Sequence, residues 1–330
     1  MNASAGPTGG GVVDAHHHLW EPARRDYPWL AAAALTPIRR SYTMNDLRSA
    51  ADGRVAATVL VQTISSQAET EEFLRTAAES QTAAQASALT STSTPAETQA
   101  PLSRLPSPTS AYRISPIVYD RQPTIAGVVG WVDLADAGVA EVLERLRTGP
   151  GGRSLVGIRH QVEDEPDPDW LLRPEIIRGL RTVTEAGLGY DLLVRAPQRA
   201  AARTVADLLP QANLVLDHAG KPGIAAGEWE PWASWVTAMA ARPNVSCKLS
   251  GLITEADWAS WSAGTIRRYA DHVLTSFGAG RVMFGSDWPV CELAGSYAAV
   301  LDLTDELISG ASGTEREAIL GGTARRVYRI

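Results

Sequence analysis

The segment VVDAHHHLWEP (12–22) holds three consecutive histidines, His16-His17-His18, half of the six in this 330-residue chain. If the segment is a β-strand, residues i and i+2 share a face. His16 and His18 then point the same way and His17 the other. Two imidazoles so placed can ligate a metal ion or polarise a carbonyl as a pair; buried histidines satisfied by hydrogen bonds are the structural alternative. A tag remnant would carry more histidines and would not sit inside an apolar run. In LDHAGKP (216–222), Asp217 and His218 precede a Gly/Pro turn. In FGSDWPV (284–290), Asp287 stands at the tip of an apolar run. A carboxylate is costly there unless something pairs with it. Asp287 can accept a proton from water, bind a metal, or do both in turn. GIRHQ (157–161) and CKLSG (247–251) add Arg159, His160 and Lys248. Cations of this kind suit an oxygen-rich substrate and a developing oxyanion, or serve as ion-pair partners. Of the ten tryptophans, Trp20, Trp29, Trp131 and Trp288 lie near these stretches, with Trp288 a candidate substrate contact. Trp faces stack on sugar rings and also fill ordinary cores.

The elements that must position these groups follow from the pattern around them. Short β-branched runs alternate with Ala/Leu/Arg-rich stretches of helical character, which predicts βα units and a parallel sheet. Eight strands are predicted: 11–17, 55–62, 125–134, 155–161, 189–195, 213–220, 244–252 and 281–290. Helices are predicted over 68–79, 137–149 and 174–187, with Gly187 as a C-cap. Eight such units in a chain of this length predict one (β/α)8 TIM barrel, an α/β single domain over 11–330, after a flexible N-terminus at 1–10. Each strand is apolar at first and chemically loaded at its C-terminal end, the face on which such barrels build active sites.

One stretch breaks the rhythm. Residues 81–110 are mostly Ala, Ser, Thr, Gln and Pro, with no aromatic residue, only Glu97 and Arg104 charged, and Leu89, Leu102 and Leu105 the only large aliphatics. They predict a low-complexity insertion in the second βα unit, disordered or acting as a lid. The formal net charge of −7 offers no basic field for nucleic acid. No apolar run predicts a membrane span. Two cysteines, Cys247 and Cys291, are too few for a disulfide framework. The opening MNASAGPTGGG lacks the regions of a signal peptide, so a cytoplasmic protein is expected.

Taken in order, VVDAHHHLWEP, YPWL, VLVQT, GVVGWVDL, GIRHQVEDEPDPDWL, LDHAGKP, CKLSGL and FGSDWPV resemble the amidohydrolase superfamily. The likeness is to its amidohydrolase-2 branch and, within that, to the sugar-lactonase-like group that includes L-fuconolactonase and L-rhamnonolactonase. It runs from about Val12 to Val290, interrupted at 81–110. The resemblance implies a distorted barrel and hydrolysis of a small lactone to the hydroxy acid. It places the family's H-x-H pair on His16 and His18, its sixth-strand histidine on His218 and its eighth-strand aspartate on Asp287. Members with two metals also use a carboxylated lysine after the fourth strand and a histidine after the fifth. This chain has IRHQ and DLLVR there, so no binuclear site is expected. The expected cofactor is none, or one divalent ion, zinc first, on His16, His18 and Asp287.

The mechanism expected from these roles has Asp287 take a proton from water while the hydroxide adds to the lactone carbonyl. His16 and His18, directly or through a metal, and a nearby cation stabilise the oxyanion. His218 orients substrate or water. Arg159, His160, Lys248 and Trp288 contact the substrate. The expected partner is a small lactone or sugar acid, with no nucleic acid or membrane; a homo-oligomer is compatible. A metal-dependent decarboxylase of the same branch is the first alternative. A non-catalytic sugar-acid-binding barrel is the second, and it would be expected to lack one of His16, His18, His218 or Asp287.

Overall fold

A computed structural model describes residues 10–91 and 122–330. It contains β1 (Val13–His17), β2 (Ala57–Val61), β3 (Thr124–Gly130), β4 (Leu155–His160), β5 (Gly189–Leu192), β6 (Asn213–Leu216), β7 (Val245–Leu249) and β8 (Val282–Phe284). They form one parallel sheet in sequence order. Helices α1 (Met44–Ala51), α2 (Gln67–Ser91), α3 (Val139–Thr148), α4 (Pro174–Glu185), α5 (Arg199–Leu208), α6 (Trp232–Ala240), α7 (Ala263–Phe277) and α8 (Tyr297–Leu307) connect and follow the strands. Two short helices, α9 (Gly313–Glu317) and α10 (Thr323–Tyr328), end the chain. The sheet is a nearly closed (β/α)8 barrel. Its seam runs between β1 and the residues after β8: His17 bridges Trp288 in parallel. The His18 amide donates to the Trp288 carbonyl at 2.7 Å, and the Asp287 amide donates to the His16 carbonyl at 2.8 Å.

Strands with both faces covered read as continuous apolar runs, because the lumen lies on one side and the helices on the other. All five residues of β1 and of β7 are buried. The lower lumen is filled by Val13, Ala15, Val59, Val61, Val129, Val215 and Met283, packed with Ala324, Val327 and Tyr328 at the end of the chain. The barrel is therefore stoppered from below by α10, and the site lies above that layer.

Seven strands stop earlier than the pattern predicts, three of them by four residues or more, at Gly130, Leu216 and Phe284. Their polar extensions are loops that bend into the mouth of the barrel. A second difference concerns the start of the predicted insertion. Helix α2 continues to Ser91 instead of ending at 79. The Gln81 side chain donates to the Ile125 carbonyl at 2.8 Å and to Ser154 Oγ at 3.1 Å, fixing the helix to β3. Periodicity at 81–91 is too weak to show this in the sequence, because Ala, Thr and Gln do not mark an apolar face. Residues 92–110 lie outside the described residues, as do residues 1–9. No helix among the described residues is long and apolar enough to cross a membrane.

Candidate active site

The histidine pair owes its aim to a bulge. Asp14 pairs with Thr58 and His17 with Leu60, three residues along β1 against two along β2. The extra residue shifts the phase of the strand. Asp14 therefore turns to the helix layer, where its carboxylate accepts from Tyr297 OH of α8 at 2.9 Å and from Ser286 Oγ at 2.6 Å. His16 and His18 turn to the lumen, with their Nε2 atoms 3.1 Å apart. His17 points outward to Thr58 Oγ1 at 3.0 Å.

The other two groups are presented by backbone that most side chains avoid. His218, Ala219 and Lys221 have φ of 51°, 53° and 49°, and Asp287 has φ of 56°. Left-handed conformations at non-glycine residues cost about 1–3 kcal/mol each and persist where the surroundings over-determine them. The close approach of backbone helps to hold them. A Cβ on Gly285 would stand 2.8 Å from His16 Cβ, and one on Gly251 would stand 2.7 Å from His218 Nδ1.

The four side chains meet. Asp287 Oδ1 lies 3.6 Å from His18 Nε2, 3.9 Å from His16 Nε2 and 3.9 Å from His218 Nε2. Burial dominates their charge states. Desolvation pushes His18 down to about 3, helped by the neighbouring Arg159 guanidinium. It pushes His218 down to about 4 and His16 well below the usual imidazole range, in the latter case with Lys248 adding to the effect. The same desolvation raises the Asp287 carboxyl above its ordinary value. The imidazoles are thus neutral at physiological pH, and Asp287 is a better proton acceptor than a surface carboxylate.

Hydrogen bonding fixes one tautomer outright. His18 Nδ1 lies 2.8 Å from the Val61 carbonyl, which can only accept, so Nδ1 carries the proton and Nε2 presents a lone pair. A polar network lies beneath. Lys248 is wholly buried, with Nζ bound to Asp191, 2.9 Å from Asp217 Oδ1 and 3.1 Å from His16 Nδ1. Asp191 also accepts from Tyr328 OH at 2.9 Å. Arg159 Nη1 lies 3.0 Å from Asp217 Oδ2 and 3.3 Å from His16 Nε2.

Among the described residues, His16, His218 and Asp287 form a group able to hold a metal ion, with one ligand atom from each lying within 4.8 Å of the others. Two imidazole nitrogens and a carboxylate oxygen, with His18 Nε2 alongside, fit one divalent ion of the zinc type. Asp217 Oδ1, 3.3 Å from His16 Nδ1, can take the proton that His16 must carry there to offer Nε2 to an ion. On β4 and β5 the groups nearest the site are Arg159, paired with Asp217, and Asp191, bound to Lys248.

A cavity of about 280 Å³ opens over this group, and His18, Arg159, His218 and Asp287 all line it. Three of the expected substrate contacts do not. Lys248 lies under His16 because two buried carboxylates claim its ammonium group. His160 stacks on Trp170 at 4.2 Å, accepts from Trp131 Nε1 at 3.0 Å and faces Glu165. Trp288 is a core residue, edge-on to Tyr42 at 5.2 Å, with its indole bound to Glu292. The wall is made instead by Trp29, Gln161, Glu163, Arg195, Lys221, Glu255 and Trp258, among others. Glu163 and Lys221 fall within the loaded stretches GIRHQVEDEP and LDHAGKP, a few residues past the histidines that drew attention.

The Amidohydrolase family model matches residues 13–330. The chain belongs to the amidohydrolase family. This amidohydrolase is 32% identical to an L-fucono-1,5-lactonase of Burkholderia multivorans, across 96% of each chain. It is also 32% identical to an L-fucono-1,5-lactonase of Burkholderia ambifaria, across 96% of this chain and 95% of the relative. A crystal structure of an amidohydrolase from Burkholderia multivorans with bound zinc superposes with a TM-score of 0.78 at 31% identity, covering 97% of this chain and all of that one.

Proposed function

We propose that this amidohydrolase opens a small sugar lactone to its hydroxy acid, with Asp287 as general base. The observation that carries the reading is the placement of Asp287, its carboxyl raised by burial, beside three neutral imidazoles at the floor of a cavity sized for one small ring. The relatives named L-fucono-1,5-lactonase support the reaction class.

Asp287 removes a proton from water, and the hydroxide oxygen adds to the lactone carbonyl carbon. The Arg159 guanidinium, at the cavity wall and still paired with Asp217, has one donor without a partner among the described residues, Nε–H, to give to the oxyanion that forms. His18 Nε2 and His218 hold the water by accepting or donating hydrogen bonds. The ring C–O bond then breaks, and Asp287 returns its proton to the leaving ring oxygen. A divalent ion on His16, His218 and Asp287 would supply Lewis-acid polarisation at this position. An ester carbonyl is a better electrophile than an amide, which is compatible with a site that has ligands for one ion.

Lactone opening releases a proton, so a pH-indicator screen against aldono-1,4- and 1,5-lactones tests the reading. Turnover of at least one sugar lactone is expected. A protein that opens none of them, while releasing carbon dioxide from a small unsaturated acid, would contradict it.

A further inference from the structure

Four successive loops at the barrel mouth send charged side chains to the cavity wall: Glu163 and Asp164 after β4, Arg195 after β5, Lys221 after β6 and Glu255 after β7. Lys221 Nζ lies 2.8 Å from Glu163 Oε2 and 3.6 Å from Glu255 Oε1. Arg195 reaches the same two carboxylates, with Nε 2.9 Å from Glu163 Oε2 and Nη1 3.5 Å from Glu255 Oε2. The signs alternate around a closed ring. Glu163, Lys221 and Glu255 are largely buried at 14%, 12% and 15% side-chain exposure, so the Lys221 pairs are only partly screened, while Arg195 is half-exposed. Arg159, the third cation of the wall, is committed to Asp217 at 3.0 Å. Every cation in the lining therefore already faces a carboxylate. The lining carboxylates are Glu163, Asp164, Glu255 and Asp287, one more than the cations Arg159, Arg195 and Lys221.

We propose that this ring selects ligands by charge. It admits an uncharged polyhydroxylated lactone and turns away carboxylates, including the hydroxy acid that the reaction forms. The inference rests on the lactonase reading for the identity of its ligand. A hydroxyl both donates and accepts, so a sugar can donate to Glu163 or Glu255 and accept from Lys221 or Arg195 without stranding a charge. A carboxylate only accepts. It would need an unpaired cation, and it would sit against an excess of negative charge. Two like charges about 4 Å apart repel by roughly a factor of five in affinity even in bulk water, and by more where water is partly excluded. Ring opening turns a neutral ligand into an anion beside these carboxylates, so the wall that holds the substrate drives off the product.

The test is calorimetric and does not depend on turnover. An aldono-lactam serves as the uncharged, unhydrolysed probe and the matching aldonate as the anionic one, titrated into wild type, Glu163→Gln and Glu255→Gln. Wild type is expected to bind the lactam at least about fivefold tighter than the aldonate. Each glutamine variant, checked for a native thermal melt, is expected to bind the aldonate tighter and the lactam more weakly, which removes most of that preference. With a turned-over lactone, the same variants should show a raised KM and stronger inhibition by the aldonate. Equal binding of lactam and aldonate by wild type, or a preference unchanged in both variants, would overturn the inference even if the protein is an active lactonase. Absence of lactone opening together with the expected calorimetry would count against the lactonase reading and leave charge selection standing.

Discussion

Lys248 Nζ stands 3.1 Å from His16 Nδ1, in a place with no access to solvent. Around it stand Asp191, Asp217 Oδ1 at 2.9 Å and that ring nitrogen. His16 Nε2 lies 3.1 Å from His18 Nε2 and 3.3 Å from Arg159 Nη1, while His18 donates from Nδ1 to the Val61 carbonyl. The ammonium group and the Asp217 carboxylate thus compete for His16 Nδ1, while the Val61 carbonyl sets the His18 tautomer. When His16 Nδ1 carries a proton toward Asp217 Oδ1, Nε2 offers its lone pair to a metal.

Lys248→Met keeps much of the volume but leaves Asp191 and Asp217 buried without their shared cation. Breaking a buried pair from one side costs about 3–5 kcal/mol. The melting temperature should therefore fall by several degrees or more. Adding Asp191→Asn to Lys248→Met should recover part of the loss, since one stranded charge is removed. A melt unchanged in the single variant would show that the ammonium group does not hold this layer together.

The pH dependence has a definite sign. Asp287 acts deprotonated, and burial raises its carboxyl. The acid limb of kcat/KM should therefore lie above the ordinary aspartate value of about 3.9. His18 and His218, held down to about 3 and about 4, stay neutral throughout the working range and add no limb near the usual imidazole value. For stability the sign is opposite. A carboxyl raised on folding favours the protonated folded state, and that contribution is lost as pH rises through the folded value. Metal-free Asp287→Asn should accordingly melt higher than wild type at neutral pH. A lower melt would contradict the desolvated carboxylate.

Metal content is predicted from the same group. Dialysis against zinc should load about one equivalent per chain, as expected of a site with three protein ligands. His218→Ala should lose most of it, with elemental analysis as the readout. Retention of a full equivalent by His218→Ala would move the ligand set to His16, His18 and Asp287, the set expected from the sequence.

The barrel was legible because each strand changes character once, from apolar to polar, and that change marks its C-terminal end. His16, His18, His218 and Asp287 stood out because such groups are costly at the tips of apolar runs. The bulge in β1 was hidden, since Asp14 and His16 look like a same-face pair until the extra residue separates them. Lys248 looked like a substrate contact because its partner Asp191 sits in an apolar strand, GYDLLVR, with nothing in the sequence to connect the two. The cavity wall was hardest to see. Glu163, Arg195, Lys221 and Glu255 lie in loops, and loop residues carry no periodicity.

The anchoring of α2 gives a prediction about the low-complexity stretch. Gln81→Ala removes two hydrogen bonds to Ile125 and Ser154. It should cost about 0.5–1.5 kcal/mol for each bond lost. Replacing residues 92–110 with a short Gly/Ser bridge should leave the melt within a few degrees. Removing the chain from Gln81 onward should lower it clearly more. Equal effects of the two deletions would show that the end of α2 contributes nothing.

The most direct test of the account is the rate of lactone opening by Asp287→Asn. Asparagine keeps the shape and the backbone bond from the Asp287 amide to His16, and it removes the proton acceptor. General-base assistance is worth about 10² to 10⁴-fold. Measured by proton release on a lactone that wild type turns over, the variant should be slower by at least about a hundredfold while its melt shows a folded protein. Hydrolysis at the wild-type rate would contradict Asp287 as the base.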